Sequence, residues 1–256
     1  MNRTVTINGR TIELTNTPTV SMKRKGFQIL HARNSRIMKD WVNSIDSKFI
    51  IESIEIECVD YRGVDQCADN VMFIRMQVKT ADKRFKQIVE LRGGTCVMLP
   101  IINCGCRQFT ILVVQNRLAT GDSKMEELPA GMVDNGNFHG AAVKEIQEET
   151  GFTITKEDLI ELTKYLPGKD EREIYFSSGL LDEKAKFYSF EVDLSRDELE
   201  ALQGKHTGAV EEDESITLHV IPLNDVIKYS RDMKTFVALY LHDLREKNRK
   251  RHAGIR

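Results

Sequence analysis

The feature that most constrains this chain is a run of carboxylates within the segment LPAGMVDNGNFHGAAVKEIQEETGF, residues 128–152. An α-helix turns about 100° per residue, so Glu145, Glu148 and Glu149 fall in one narrow sector of a helix, where their like charges repel. We therefore predict a bound cation there, because crowded carboxylate oxygens suit Mg²⁺, with Mn²⁺ as a substitute. The alternative is an acidic helix face that is simply solvated.

The same segment carries signals for both ends of that helix. Asn137 or His139 can begin it, and Gly151 follows the last carboxylate, where a left-handed C-cap is expected. Four apolar residues can face a core, namely Ala141, Ala142, Val143 and Ile146.

These residues resemble the Nudix box, in which Gly, five residues, Glu and seven residues precede Arg-Glu-U-x-Glu-Glu-x-Gly-U, with U a bulky apolar residue. The second half of the box matches residues 144–152, and its first glycine matches Gly131. Lys144 replaces the arginine and lacks its bidentate fork. The loop is one residue short and the first glutamate is missing, with Gly136 or Asn137 at its place. In the family that glutamate mainly anchors the arginine, so the resemblance leaves the ligand positions Glu145, Glu148 and Glu149 intact.

Other segments resemble the ADP-ribose and ADP-sugar pyrophosphatase branch of the family, and the plant-type ADP-sugar diphosphatases most closely. The LPAGM-x-D opening, the approach from Phe138 to Glu145 and the sequence QGKHTG at 203–208 are shared, within a resemblance covering about residues 95–245. It implies an α/β fold, an α/β/α Nudix sandwich with a mixed sheet. It also implies that Arg117 contacts the substrate diphosphate, that Gly131 lies at the substrate, and that the Ala130 carbonyl joins the metal shell.

A second acidic run, Glu-Glu-Asp-Glu at 211–214, precedes the strand SITLHVI. In this branch a mobile loop at this place carries a catalytic glutamate and a metal ligand two residues further on. The resemblance therefore implies Glu212 as the general base and Glu214 as a metal ligand, with Glu211 as the fallback base. Should this run be only a solvated surface, Glu148 and Glu183 are the next candidates for the base.

Residue patterning divides the chain into a small, mainly antiparallel N-terminal β region and an α/β domain. Residues 4–14 alternate about Asn8-Gly9, which is typical of a hairpin with a primed turn. An amphipathic helix is predicted at 35–46, and strands at 49–59, 71–80 and 85–91. From Thr95, alternating strands and helices favour a mixed sheet with helices on both faces. We predict a dimerisation region at 1–93, a Nudix domain at 94–247 and a solvated basic tail at 248–256.

Composition restricts the compartment and the partners. The 37 basic and 39 acidic residues give no general case for nucleic acid or acidic membranes. Five cysteines form no disulfide-framework spacing, and no apolar run approaches the ~20 residues of a membrane span. We therefore expect a reduced intracellular location, the cytoplasm. The C-x-C at 104–106 lacks the second ligand pair that zinc needs, and His139 and His219 are expected to be structural.

The expected function is Mg²⁺-dependent hydrolysis of the diphosphate bond of an ADP-sugar, ADP-glucose or ADP-ribose, to AMP and a sugar phosphate. A homodimer joined through the N-terminal region is expected. One alternative is a Nudix module that binds a nucleotide ligand without turnover, which the missing glutamate motivates. The other is a nucleic-acid-directed Nudix enzyme such as a decapping hydrolase, which rests on the basic tail alone.

Overall fold

The computed structural model describes residues 3–16, 22–133, 137–168, 173–208 and 215–252. The chain divides into two compact units. The first contains the residues up to Gly93 together with Tyr175–Lys184, and the second contains Gly94–Ile174 and the residues from Ala185 onward.

The first unit is built on a five-stranded sheet in the order β1-β2-β3-β4-β5. Its strands are β1 (Thr4–Ile7), β2 (Arg10–Asn16), β3 (Ile51–Tyr61), β4 (Val71–Thr80) and β5 (Gln87–Leu91). Asn8 and Gly9 have φ of 50° and 75°, which confirms the primed turn between β1 and β2. The β2–β3 pair is parallel and the others are antiparallel, so the sheet is mainly antiparallel, as predicted.

Two helices, α1 (Met22–Asn34) and α2 (Arg36–Ser44), accompany this sheet. Helix α2 confirms the predicted helix, and α1 was not predicted. Ser35 separates them, because its hydroxyl donates to the Ala32 carbonyl at 2.7 Å and accepts from the Met38 amide at 3.3 Å. This N-cap ends one helix and begins the next.

The segment Tyr175–Lys184 belongs to the first unit because it binds the edge of β5. The Glu90 amide donates to the Leu180 carbonyl at 2.8 Å, and the Glu90 carbonyl accepts from the Asp182 amide at 3.1 Å. The Asp182 carboxylate also accepts from the amides of Arg92 and Gly93. Sequence patterning had placed this segment within the range 94–247.

The second unit contains a mixed sheet whose central order is β10-β12-β6-β7-β14-β13, with β11, β8 and β9 beside β12, β7 and β6. The described strands are β6 (Gly94–Cys104), β7 (Arg107–Arg117), β8 (Asp122–Glu127), β9 (Ala130–Met132), β10 (Ile160–Glu161), β11 (Ile174–Tyr175), β12 (Lys184–Asp193), β13 (His206–Thr207) and β14 (Ile216–Pro222).

Helices cover both faces of this sheet. They are α3 (Phe138–Thr150), α4 (Arg196–Leu202) and α5 (Met233–His252), with short 3-10 helices at Leu118–Thr120, Lys156–Asp158, Leu162–Tyr165 and Leu223–Lys228. Cys96 and Met98 of β6 pack with Ala142 and Ile146 of α3. The alternate residues of β6 point to the other face, where α5 contacts the same strand. The result is the predicted α/β/α sandwich.

Strand β7 has two different partners along one of its edges. On that edge it pairs with β6 at residues 107–109 and with β8 at residues 113–117. Its opposite edge pairs with β14 through residues 109–114. Strand β9 pairs with β6 at 95–97. Strands β6 and β7 therefore diverge, and Leu128-Pro129 crosses from one to the other, which leaves a gap at the end of the sheet where α3 lies.

The C-terminal helix continues into the predicted basic tail, residues 248–256. Helix α5 extends to His252, so the first part of that tail is helical. Buried Arg245 contacts Glu191 at 2.7 Å, and Lys247 pairs with Asp243 one turn earlier. These contacts explain why the helix continues. None of the described helices is long and apolar enough to cross a membrane.

Candidate active site

Helix α3 has the predicted ends. The Asn137 side-chain oxygen accepts from the Gly140 amide at 3.0 Å, so Asn137 rather than His139 is the N-cap. Gly151 has φ of 80° and its amide donates to the Gln147 carbonyl, which confirms the left-handed C-cap. His139 lies in the first turn, where its ring packs against Tyr188 with centroids 5.0 Å apart.

Glu149 connects this helix to the two diverging strands. It is 2% exposed. Its Oε1 accepts from the side-chain amide nitrogen, Nε2, of Gln115 on β7 at 3.4 Å, and its Oε2 accepts from the Ala130 backbone amide on β9 at 3.1 Å. Two donors fixed by separate strands therefore hold this carboxylate in one orientation. Gln115 is not among the site residues expected from the sequence.

Glu145 lies directly over Gly131. A Cβ at Gly131 would be 1.9 Å from the Glu145 Cδ and 2.0 Å from its Oε1. Only glycine allows this approach. Ala130 and Gly131 are fixed in turn by antiparallel pairing of β9 with Val97 and Cys96 of β6. The LPAG segment and the helix carboxylates thus meet, as the motif required.

Cys96 lies close to these carboxylates. Its thiol donates to the Gly131 carbonyl with an Sγ–O distance of 3.4 Å. Burial, reinforced by the negative charges of Glu145 and Glu149, raises the pKa of the thiol to about 12. Cys96 is therefore a neutral, buried packing residue.

Glu148 is more open than its two neighbours. Its side chain is 33% exposed, and Lys144, the replacement for the family's arginine, contacts it at 3.4 Å across one helical turn. Glu145 and Glu149 both contact the LPAG segment. Helix α3 carries all three carboxylates, as their spacing predicts, but each of them has different contacts.

Arg117 stands at the end of β7, and its guanidinium contacts the Glu127 carboxylate. Nε and Nη2 lie 2.8 and 2.6 Å from the Oε2 of Glu127. Glu127 is buried, and Lys234 of α5 approaches its Oε1 at 3.7 Å. Sequence reasoning predicted a role for Arg117 but missed Glu127 and Lys234. The position of Glu127 directly before LPAG was the available signal.

Residues 209–214 lie outside the described part of the chain, and with them Glu211, Glu212 and Glu214. Their neighbours on both sides are fixed. The Gly208 amide donates to the Glu148 carbonyl at 3.2 Å, and the Thr207 hydroxyl donates to the Glu149 carbonyl. Thr207 also pairs with Ile216. Thr207 and Gly208, which precede the acidic run in the sequence, therefore lie at the last turn of α3.

The remaining candidates have other partners. Glu183, a fallback base, belongs to the first unit and approaches Arg92 at 3.8 Å. His219 contacts Glu126 with an Nδ1–Oε1 distance of 3.1 Å. The C-x-C surrounds a hairpin turn at Gly105. Among the described residues, no group of three His, Cys, Asp or Glu side chains is placed to hold a metal ion, a search that does not include residues 209–214.

The donor set nevertheless fits Mg²⁺ or Mn²⁺ in its chemistry. Glu145 and Glu149, with the Ala130 carbonyl, offer only oxygen atoms, which these hard cations prefer. The Cys96 thiol is neutral and donates its proton to the Gly131 carbonyl. Cys96 therefore offers no thiolate to a softer metal.

Comparison with known proteins places this geometry in context. The protein-family model that describes the NUDIX domain matches residues 94–240 of this chain. The chain is 29% identical over 225 residues to "Nudix hydrolase 14, chloroplastic" of Arabidopsis thaliana, an alignment covering 84% of this chain and 72% of that protein. The crystal structure of an ADP compounds hydrolase is 17% identical, with a TM-score of 0.49, and the match covers 78% of this chain and 98% of that one.

Proposed function

The chain belongs to the Nudix family of hydrolases, and from this premise we propose that it hydrolyses the diphosphate bond of ADP-sugars, such as ADP-glucose or ADP-ribose, to AMP and a sugar phosphate. The observation that carries the proposal is the fixed carboxylate of Glu149, held by Gln115 and Ala130 beside Glu145. A merely solvated acidic helix would not bury this carboxylate between two strands.

The proposed reaction depends on Mg²⁺. Glu145, Glu149 and the Ala130 carbonyl would hold the metal, together with Glu148 and Glu214. Bound Mg²⁺ neutralises phosphate oxygens and lowers the pKa of an attacking water. The protein's own contribution is to fix the ligands before substrate arrives, through the strand pairing of β9 and the buried hydrogen bonds of Glu149.

Glu212 is the proposed general base, with Glu211 as the fallback, and it would orient or deprotonate water. The anchoring of Gly208 to Glu148 supports this assignment. Gly208 lies four residues before Glu212 in the sequence. Glu148 is the second candidate, because its carboxylate is partly exposed.

Arg117 is the proposed diphosphate ligand, with Gly131 at the substrate. The Arg117 side chain is 40% exposed, so its guanidinium is open to solvent on one side while Glu127 holds the other. Phosphate oxygens pair well with such a planar, always charged group.

The alternative of ligand binding without turnover rests on the altered box. Lys144 pairs with Glu148 by a single 3.4 Å contact, where an arginine could form two bonds. The nucleic-acid alternative has less support, because basic residues of α5 pair within the protein. Lys247 contacts Asp243, and Arg249 contacts Glu246 at 3.2 Å.

A substrate panel tests the proposal. ADP-glucose, ADP-ribose, ADP-mannose and a capped RNA are incubated with Mg²⁺, and AMP, sugar phosphate and decapped RNA are measured. Release of AMP and sugar phosphate in equal amounts is the expected result, and omission of Mg²⁺ should stop it. Binding of ADP-sugars without turnover would establish the ligand-binding alternative. Cleavage of the RNA cap without hydrolysis of ADP-sugars would establish the nucleic-acid-directed alternative.

Two further properties are proposed with this function. The five cysteines are free thiols, so we propose a reducing intracellular compartment. The name of the Arabidopsis relative assigns that protein to the chloroplast. We also propose a homodimer joined through the N-terminal region, since a small sheet of this kind gains stability by packing against a partner.

A further inference from the structure

The contact between Glu127 and Arg117 limits which part of the Arg117 guanidinium can bind a substrate. Glu127 lies on β8 opposite Val113, four residues before Arg117 along β7. The arginine side chain therefore extends back along the strand pair to reach it. Both of its contacting nitrogens, Nε and Nη2, meet the same carboxylate oxygen. One edge of the guanidinium is thus fully engaged.

The other edge of the guanidinium remains available. Of the five N–H donors of an arginine, those on the Nη1 side and the outer proton of Nη2 point away from Glu127. A diphosphate oxygen can accept from this outer edge while Glu127 keeps the inner one. The side chain would otherwise have many rotamers, and fixing one in advance lowers the entropy lost on binding.

Glu127 is itself fixed by a second cation. Lys234, near the start of α5, approaches the Oε1 of Glu127 at 3.7 Å and is 19% exposed. Asp232 contacts the same ammonium at 3.0 Å. The cluster thus has two positive and two negative groups, and Glu127, as a buried carboxylate, needs both of its cations.

We infer that Glu127 is a positioning residue for the diphosphate: it sets the rotamer of Arg117, and Lys234 holds Glu127 in place from α5. The inference rests on the proposed function for the identity of the substrate. It adds a residue from β8 and one from the C-terminal helix to the machinery that binds it. No atom of Glu127 needs to touch the substrate.

Steady-state kinetics with ADP-glucose test this inference. Glu127→Gln keeps the volume but removes the charge, and KM should rise about tenfold while kcat changes by less than about threefold, because a binding interaction remote from the reacting atoms is lost. In an Arg117→Ala background, Glu127→Gln should change KM by less than about twofold, because there is no longer a guanidinium to position.

The matched control is Glu200→Gln. This variant removes the exposed ion pair between Arg196 and Glu200 on α4. The Nε–O distance of that pair is 2.8 Å, the same as between Arg117 and Glu127. Its KM should equal that of the wild type. If Glu127→Gln does not fold, Glu127→Asp replaces it, because aspartate keeps the buried charge but withdraws it from Arg117. The KM of Glu127→Asp should rise when Arg117 is present and should not rise in the Arg117→Ala background.

An unchanged KM in both Glu127 variants overturns the inference, as does an equal KM increase with and without Arg117. Failure of the proposed function is separable from both. If the wild type hydrolyses no ADP-sugar, the same variants are compared for the Kd of ADP, which retains the diphosphate, by calorimetry. A tenfold weaker Kd that depends on Arg117 supports the inference, and absence of ADP binding in the wild type overturns it.

Discussion

Replacing Gly131 with alanine should disable the site while leaving the fold intact. The added Cβ would lie 1.9 Å from the Glu145 Cδ, against an ordinary contact of 3.4 Å, so the carboxyl group must withdraw by about 1.5 Å. The atoms displaced are the far end of a flexible side chain. The backbone of Gly131 does not have a positive φ, so alanine can adopt it.

The expected effect on stability is small. Replacing glycine by alanine at a compatible position stabilises by roughly 0.4–1 kcal/mol, and an off-rotamer Glu145 costs about 0.5–1.5 kcal/mol. The two nearly cancel, so Tm should shift by no more than about 4 °C. The effect on catalysis should be much larger, because displacement of a positioned group by about 1 Å can cost on the order of 100-fold.

Initial rates of ADP-glucose hydrolysis across a Mg²⁺ titration, with thermal unfolding in parallel, measure both effects. Gly179→Ala is the matched control, because a Cβ there meets nothing within 4 Å. In a Glu145→Ala background, Gly131→Ala should add no further loss. A wild-type Mg²⁺ response in Gly131→Ala, or fully additive losses in the double variant, would refute the role given to Glu145.

Three further predictions concern the metal, the base and the assembly. Glu149→Gln should abolish Mg²⁺-dependent hydrolysis with an unchanged far-UV circular dichroism spectrum; near wild-type turnover would end the metal assignment. Glu212→Gln should lower kcat by ~10²–10⁴-fold, whereas Glu214→Gln should raise the Mg²⁺ needed for half-activity; a large kcat loss in Glu211→Gln instead would shift the assignment by one residue. Light scattering at micromolar concentration should give the mass of a dimer, and a monomer mass would contradict the proposed N-terminal interface.

Local signals account for what was predictable in the fold. Asn137 and Gly151 mark the ends of α3 because helix termini need specific caps. The Asn8-Gly9 turn and the alternating strands follow from backbone preferences of individual residues. Helix α1 was missed because its sequence, MKRKGFQILHARN, has a weak apolar period. Ile29 and Ala32 of this helix are buried in the core cluster of the first unit.

The sequence by itself determined the family and the helix with its three carboxylates, because each depends on a short motif or a local period. Tertiary structure decided which groups the carboxylates meet. Three contacts join separate elements of the fold: Glu149 lies between Gln115 and Ala130, Glu145 lies above Gly131, and Glu127 lies between Arg117 and Lys234. Such contacts follow from the divergence of β6 and β7 and the register of their partners, which no local pattern encodes.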